Sequence, residues 1–289
     1  MIYLNGFCMP NQFIMDEYEW TGAYPFGILY FMELNYVKFD RITVFYGGNG
    51  SGKSTLLKLI AQKCGLEHRT VVDNTDDFIN FLNMCSCSYY EDDIVSYKKP
   101  PLGSEVITSE DIMHRILELR ENNSIVSDRR QKTRNEYMES RYSPNTLTSL
   151  ENFEDFKRRN KSKRLSAAKF VNELGGIRER EFSNGENVLI YFEEILKTGK
   201  LYLLDEPETS LSPEFQFKVA EKITEMARHG DCQFIIATHS PFILGIEGAR
   251  IYNLDSRPVE VCQWEELKNI RFYYKYFMER REKFEGNFG

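Results

Sequence analysis

Residues 47–54 read Gly47-Gly48-Asn49-Gly50-Ser51-Gly52-Lys53-Ser54. The stretch fits G-x-x-x-x-G-K-[ST], the pattern of a phosphate-cradling loop. Its flanks agree with that reading. Arg41-Ile42-Thr43-Val44-Phe45-Tyr46 reads as a strand, and Thr55 to Ala61 as a helix with apolar residues at Leu56, Leu57, Leu59 and Ile60. A strand, a glycine loop and a helix in this order aim backbone N–H groups and a helix N-terminus at an anion. Glycines permit positive φ and let a phosphate approach the backbone, so Asn49, Gly50, Ser51 and Gly52 form the cradle. Lys53 then reaches the outer phosphates as a point charge. Ser54 offers its hydroxyl to Mg²⁺, and Thr55 offers one near the innermost phosphate.

Three further stretches follow in a consistent order. In Leu201-Tyr202-Leu203-Leu204-Asp205-Glu206-Pro207 an apolar run ends in two acids, as a buried parallel strand with carboxylates at its C-terminal tip would. Ligands of open α/β sheets bind at such tips. There Asp205 is placed to hold Mg²⁺ and Glu206 to act as general base on an attacking water. Phe234-Ile235-Ile236-Ala237-Thr238-His239-Ser240-Pro241 is another apolar strand with a polar tip. A neutral imidazole at His239 can bond a phosphate oxygen or the attacking water. Phe182-Ser183-Asn184-Gly185-Glu186-Asn187 precedes an apolar helix. Ser183 and Glu186 are spaced as a capping box. A second phosphate site built from Ser183, Gly185 and the helix N-terminus is the functional reading of the same residues.

Taken in order, these stretches resemble the ABC-type ATPase family. Residues 47–54 are similar to its Walker A loop, and Ser183 to Asn187 to its Leu-Ser-Gly-Gly-Gln signature, with Asn184 and Asn187 departing from the usual Gly and Gln. Leu203 to Pro207 are similar to Walker B with its catalytic glutamate, Ser210-Leu211-Ser212 to the D-loop, and His239 to the switch histidine. The Asp-Glu-Pro-Glu and Ala-Thr-His-Ser-Pro phrases resemble the soluble, non-transporter branch, with its RecF-, SMC- and OLD-type heads and the bacterial "AAA family" ATPases.

The resemblance implies an α/β P-loop NTPase of ABC-head type, with a mixed central sheet flanked by helices, an N-terminal antiparallel β-subdomain and a helical insertion. It implies ATP and Mg²⁺ as cofactors, with Glu206 and His239 catalytic. It also implies a homodimer or higher homo-oligomer in which Ser183, Gly185 and Glu186 of one copy face the nucleotide held at Lys53 of another. Family members carry a Gln after the first helix; no strand-Gln pattern stands there, and Gln131 in a charged segment is the candidate. Tyr24, Phe26 and Arg41 are candidates for the adenine contact.

The chain has 289 residues, of which 42% are apolar, and a formal net charge of -7. The charge argues against a protein that coats nucleic acid over its whole surface. No run of about 18 apolar residues crosses a membrane, and the N-terminal residues lack a signal pattern. Six scattered cysteines read as reduced thiols of a cytoplasmic protein; Cys85 and Cys87 are either a redox or metal pair or two ordinary cysteines.

The expected organisation is a nucleotide-binding domain over 1–66 and 175–289, with a helical insertion over 67–174. Within the first part, 27–32 and 36–39 read as strands. Within the insertion, 76–84 and 109–119 read as helices, the second capped by Ser109. Residues 128–170 hold twelve Lys and Arg against six Asp and Glu. They form a solvated helical face, a phosphate-backbone contact or a surface for an acidic partner. Residues 250–254 read as a strand and 264–281 as an aromatic-rich helix, packed on the core, at a subunit contact or docked to another protein. Three functions compete: an ATP switch on a separate effector protein, with bacterial phage defence suggested by the resemblance; a DNA-maintenance ATPase that binds nucleic acid through 128–170; and the ATPase subunit of a transporter.

Overall fold

The computed structural model of the chain describes residues 1–17, 24–66, 75–91, 99–142, 153–174 and 184–285. Ser183 therefore lies outside the described residues. The chain divides into two compact units, one formed by Met1–Ile112 with Asn184–Gly289 and the other by Met113–Ser183.

A six-stranded sheet organises the first unit, in the order β5 (Glu105–Thr108), β6 (Leu201–Asp205), β7 (Gln233–Ala237), β3 (Ile42–Tyr46), β8 (Arg250–Asn253) and β9 (Glu260–Cys262). The first five are parallel, and β9 pairs antiparallel with β8. β3 and β7 are buried along their whole length and β6 up to its last residue. Their near-continuous apolar sequences reflect this, because parallel strands bury both faces. Register fixes the working end of the sheet: Asp205 is level with Ala237, and Ala237 with Phe45. The residues that follow each of these strands therefore emerge side by side.

A three-stranded antiparallel sheet, β2 (Tyr36–Lys38), β1 (Leu4–Cys8) and β4 (Ser86–Tyr89), forms a second layer. The amide of Gln233, at the start of β7, ties the two sheets together. Its Oε1 accepts from the N–H groups of Tyr3 and Leu4, and its Nε2 donates to the carbonyls of Leu4 and Asp40. The side chain is fully buried, so each bond forms out of reach of water.

Three expectations are corrected here. Residues 27–32 form a short helix, α2 (Phe26–Leu29), and a 3₁₀ turn over Tyr30–Met32, not a strand. The run is apolar without alternation, and its buried members Phe26, Leu29 and Met32 recur every three residues, a helical period. The interval 67–174 is not one insertion. It supplies α4 (Asp76–Met84) as read, but also β4 and β5, which belong to the sheets of the first unit. The helix starting at Ser109 is capped by Thr108. The Thr108 N–H and Oγ1–H both donate to Asp111 Oδ2, and the Asp111 N–H donates to Thr108 Oγ1.

That helix, α5 (Ser109–Tyr142), has 34 residues and continues into the second unit. It is polar nearly all round, which hid its length from a search for apolar periodicity. The second unit adds α6 (Phe153–Arg164) and α7 (Ala167–Leu174). Its small core sets Tyr137 against Phe170, with ring centroids 5.3 Å apart.

Replacing Gln233 with Leu keeps the volume but removes the partner of four backbone groups, the N–H groups of Tyr3 and Leu4 and the carbonyls of Leu4 and Asp40. We expect a loss of about 2–4 kcal/mol, read from the urea midpoint; an unchanged midpoint would show that the two sheets are held by apolar packing alone.

Candidate functional site

β3 ends at Tyr46, and the chain turns through Gly47–Gly52 into α3 (Lys53–Cys64). Gly52 has φ +93°, and a Cβ there would stand 2.4 Å from Met32 Cε and 2.8 Å from Ile28 Cγ2. α2 and its 3₁₀ turn thus press on the loop from behind, and only glycine fits. On the other side a Cβ on Gly50, at φ +78°, would meet open space.

Lys53, only 4% exposed, folds back so that Nζ donates to the carbonyls of Gly47 (3.0 Å) and Gly48 (3.1 Å). Nζ also lies 2.9 Å from His239 Nε2 and 4.0 Å from Glu206 Oε1. An ammonium has no lone pair, so the imidazole accepts through Nε2 and carries its proton on Nδ1. Burial lowers the basicity of Lys53, and the carboxylates of Glu206, Asp205, Asp255 and Glu208 oppose that effect.

Ser54 Oγ donates to Asp205 Oδ1 at 3.0 Å. Burial pushes the Asp205 carboxyl up to about 6, with the Ser54 hydrogen bond pulling the other way. Glu206 Oε1 is 3.4 Å from His239 Nε2. Glu206 has φ +48°, and Ser210, four residues on, has φ +65°. Positive φ at non-glycine residues is costly and concentrates where geometry is functionally constrained. The Glu206 N–H donates to the Ala237 carbonyl, fastening the tip of β6 to the tip of β7.

The structure thus brings Lys53, Ser54, Asp205, Glu206 and His239 together at the level tips of β3, β6 and β7. Asn49, Gly50, Ser51 and Thr55 belong to the same loop and first helical turn. The Ser51 hydroxyl is buried without a hydrogen-bond partner. The helix expected after the signature residues is α8 (Asn184–Ile195), which contains Gly185 and Glu186 in its first turn.

Two functional residues escaped the sequence reading. Glu208 is 9% exposed, and its Oε1 accepts from the Thr238 hydroxyl (2.5 Å), the His239 N–H (2.6 Å) and the Ser240 N–H (3.0 Å). It holds the segment that carries His239, and its signal was the second glutamate of Asp-Glu-Pro-Glu. Asp255, just past the tip of β8, accepts from the Gly48 N–H at 2.8 Å. Its signal was an acid immediately after an apolar strand.

Other candidates are redistributed. Phe26 is 2% exposed and packs edge-on against Phe81, so its ring is core and offers no face to an adenine. Tyr24 stacks on Phe78. Arg41 precedes β3, at the end of the strand opposite the glycine loop. The strand after the first helix does exist, as β5, but its tip beside Asp205 is Thr108, engaged with Asp111. Gln131 lies within α5 and bonds Asn135.

The family description "ABC transporter" matches residues 35–209, and "AAA ATPase domain" matches residues 176–244. The first spans more than half of the chain, and the chain belongs to that family: it is an ATP-binding domain with the α/β fold of the ABC-type ATPases. No curated protein matches it in sequence. Similar solved structures include the Smc head domain of Pyrococcus furiosus bound to the C-terminal domain of ScpA (12% identity, 95% of this chain and 100% of that one, TM-score 0.41). A nucleotide-free ATP-binding cassette from an ABC transporter is 16% identical (83% and 88% covered, TM-score 0.39). A dimeric ATP-binding cassette in a post-hydrolysis state, bound to ADP and Pi, is 13% identical (90% and 98% covered, TM-score 0.35). No helix among the described residues is long and apolar enough to cross a membrane.

Two predictions follow from this geometry. Asp205 is harder to ionise in the fold than in the unfolded chain, so the stability it leaves intact below about pH 4 is lost as pH rises to about 6. Asp205→Asn keeps an acceptor for Ser54. Without nucleotide it should raise stability by about 2–3 kcal/mol at pH 7.5 and scarcely at pH 4; equal effects at the two pH values would exclude burial as the cause. Glu208→Ala strands the Thr238 hydroxyl and the His239 N–H and leaves the Ser240 N–H only its bond to Thr238 Oγ1; it should cost about 2–4 kcal/mol in urea unfolding, whereas Glu208→Gln, which keeps the Oε1 acceptor, should recover most of it.

Proposed function

We propose that this chain hydrolyses ATP with Mg²⁺, and that two copies close on ATP as a switch acting on a partner protein. The observation that carries the reading is the meeting of Lys53, Ser54, Asp205, Glu206 and His239 within hydrogen-bonding or ion-pair distance. The donor set fits the ligand. A buried ammonium and the N-terminus of α3 suit outer phosphates. The Ser54 hydroxyl and the Asp205 carboxylate are hard oxygen ligands suited to Mg²⁺. The unpartnered Ser51 hydroxyl and the open face of Gly50 leave the loop free to meet an anion.

Bound Mg²⁺ supplies charge neutralisation of the phosphates and orients them for in-line displacement. Lys53 orients the terminal phosphate, Glu206 takes the proton of the attacking water, and His239, its tautomer set by Lys53, bonds a phosphate oxygen through a ring nitrogen. Glu208 keeps His239 in place through the backbone. Ser183, Gly185 and Glu186 are proposed to complete the site of the opposite copy, as the resemblance implies.

A protein partner is favoured over nucleic acid in part because at least four of the twelve basic residues of 128–170 are engaged among the described residues. Arg158 pairs with Glu136, Lys161 with Glu173, Arg130 with Asn172, and Arg141 with the Tyr137 hydroxyl and the Ser162 carbonyl. A partner is supported by α11 (Lys268–Met278), which buries only Ile270 and leaves Phe272 66% and Tyr274 61% exposed. Asn269, in its first turn, donates to the His239 carbonyl and so joins that helix to the site. Of the segment 264–281, Leu267 and Ile270 pack on the core, and the expectation of core packing is corrected for the exposed aromatics Phe272, Tyr273, Tyr274, Tyr276 and Phe277. A bacterial-defence setting comes from the resemblance.

The test is the solution mass of Glu206→Gln with and without Mg-ATP. Doubling of the mass with ATP, and its loss in Lys53→Ala, is the expected result. A Glu206→Gln protein that binds ATP and stays monomeric would overturn the two-copy switch, and unchanged turnover would overturn Glu206 as the base.

A further inference from the structure

The sequence offered Cys85 and Cys87 as a pair, but the fold separates them. Cys85 Sγ–H donates to the Phe81 carbonyl at 3.3 Å, inside the end of α4. Cys87 instead lies with its Sγ 3.5 Å from Sγ of Cys64, the last residue of α3. Cys64 is buried, Cys87 is half-buried, and both are free thiols. Among the described residues no group of three His, Cys, Asp or Glu is arranged to hold a metal, so these two sulfurs face each other as a pair.

We propose that Cys64 and Cys87 form a reversible disulfide that fastens the far end of the phosphate-loop helix to the three-stranded sheet. The sulfurs must close from contact distance to a bond of about 2.05 Å. The surroundings divide the roles. Hydrogen bonding with Cys64 and the Tyr89 hydroxyl, and the nearby Lys63 ammonium, draw the Cys87 thiol down against its burial, while the same bond to Cys87 and deeper burial push the Cys64 thiol up. Lys63 is held beside the pair by its bond to the Leu82 carbonyl. Cys87 is thus the thiolate that attacks and Cys64 the thiol that resolves.

The oxidant is hydrogen peroxide. The Cys87 thiolate attacks one peroxide oxygen; the O–O bond breaks, Cys87 becomes a sulfenic acid, and the departing hydroxide takes a proton from solvent, the one Cys87 gave up on ionising, to leave as the first water. The Cys64 sulfur then attacks the sulfenic sulfur, the S–O bond breaks, the Cys64 proton leaves with the hydroxyl as the second water, and the S–S bond forms. Two thiols are oxidised by two electrons and one peroxide is reduced. A dithiol reverses the change.

The test uses the full chain, fully reduced and then treated with one equivalent of hydrogen peroxide, alkylated, digested and mapped by mass spectrometry. The expected product is a linked peptide containing Cys64 and Cys87, about 2 Da lighter than the two reduced peptides together and lost on dithiothreitol treatment. The Cys64→Ser protein should halt at a Cys87 sulfenic acid, trapped by dimedone, and Cys85→Ser should form the link as the wild type does. Wild-type protein in which Cys64 and Cys87 remain alkylated to the same extent as Cys262, or in which Cys85 is a linked partner, would overturn the proposal. Because the wild-type map decides, the result does not depend on whether a variant folds, and it is independent of ATP hydrolysis.

Discussion

A lysine ammonium almost fully withdrawn from water has to be met by oxygen, and the site is arranged around that requirement. At Lys53 the oxygens are two carbonyls of the glycine loop itself, with Glu206 at the edge of ion-pair range and an imidazole nitrogen beside it. The loop can supply those carbonyls only if it curls tightly around the side chain, and it curls tightly only with glycine at position 52, against Met32 and Ile28. One buried charge thus accounts for the loop's conformation and for the approach of His239. The acids around it also oppose the fall in basicity that burial imposes.

The acids reach Lys53 because of sheet order. β7 lies between β3 and β6, so a histidine strand separates the loop strand from the acidic strand, and the level register delivers all three tips together. Parallel strands are also what allow each tip to be followed by a turn into a helix, where one-residue adjustments are possible. Glu206 uses such an adjustment at φ +48°, and its N–H bond to Ala237 holds the strained residue against the neighbouring strand. Glu208 makes the reciprocal attachment, from the turn of β6 to the residues after β7. Two strand ends so cross-linked move as one body, which suits a histidine whose ring must keep its place relative to a carboxylate two residues from its anchor.

The sheet strands 42–46, 201–205, 233–237 and 250–253 were legible because burial on both faces leaves long apolar runs with polar tips, and the glycine loop was legible because its chemistry tolerates few substitutes. What could not be read depended on packing partners distant in sequence. Residues 26–32 carry β-type composition but bury a helical face against the loop. β4 and β5 are four residues each and too short to assert a period. α5 is long but nearly uniformly polar, and only its first turn has a cap to announce it. Glu208 and Asp255 looked like solvated acids beside the motifs; their roles come from backbone N–H groups contributed by other strands. The approach of Cys87 to Cys64 could not be read for the same reason, since sequence proximity of Cys85 and Cys87 says nothing about which side of a strand or helix end each occupies.

Thr108 bears on how the reaction chemistry is divided. The tip of β5 stands level with Asp205, the place from which a side-chain amide could orient a metal ion or water, and it is filled by a threonine whose hydroxyl and N–H are both committed to Asp111. Releasing Thr108 would uncap α5, so its hydroxyl is a structural group and not a spare ligand. In the proposed hydrolysis the orientation of an attacking water then falls to Glu206 and His239, which are held by the Glu206 backbone bond to Ala237 and by Glu208. In the proposed reaction, binding and hydrolysis rest on different parts of the same site: binding on the loop, Lys53 and Ser54, and hydrolysis on the hydrogen-bonded link between the tips of β6 and β7. The second glutamate, two residues after the first, forms that link: its Oε1 accepts from the residues that follow β7, so the carboxylate of Glu206 and the imidazole of His239 are set by one short stretch of chain.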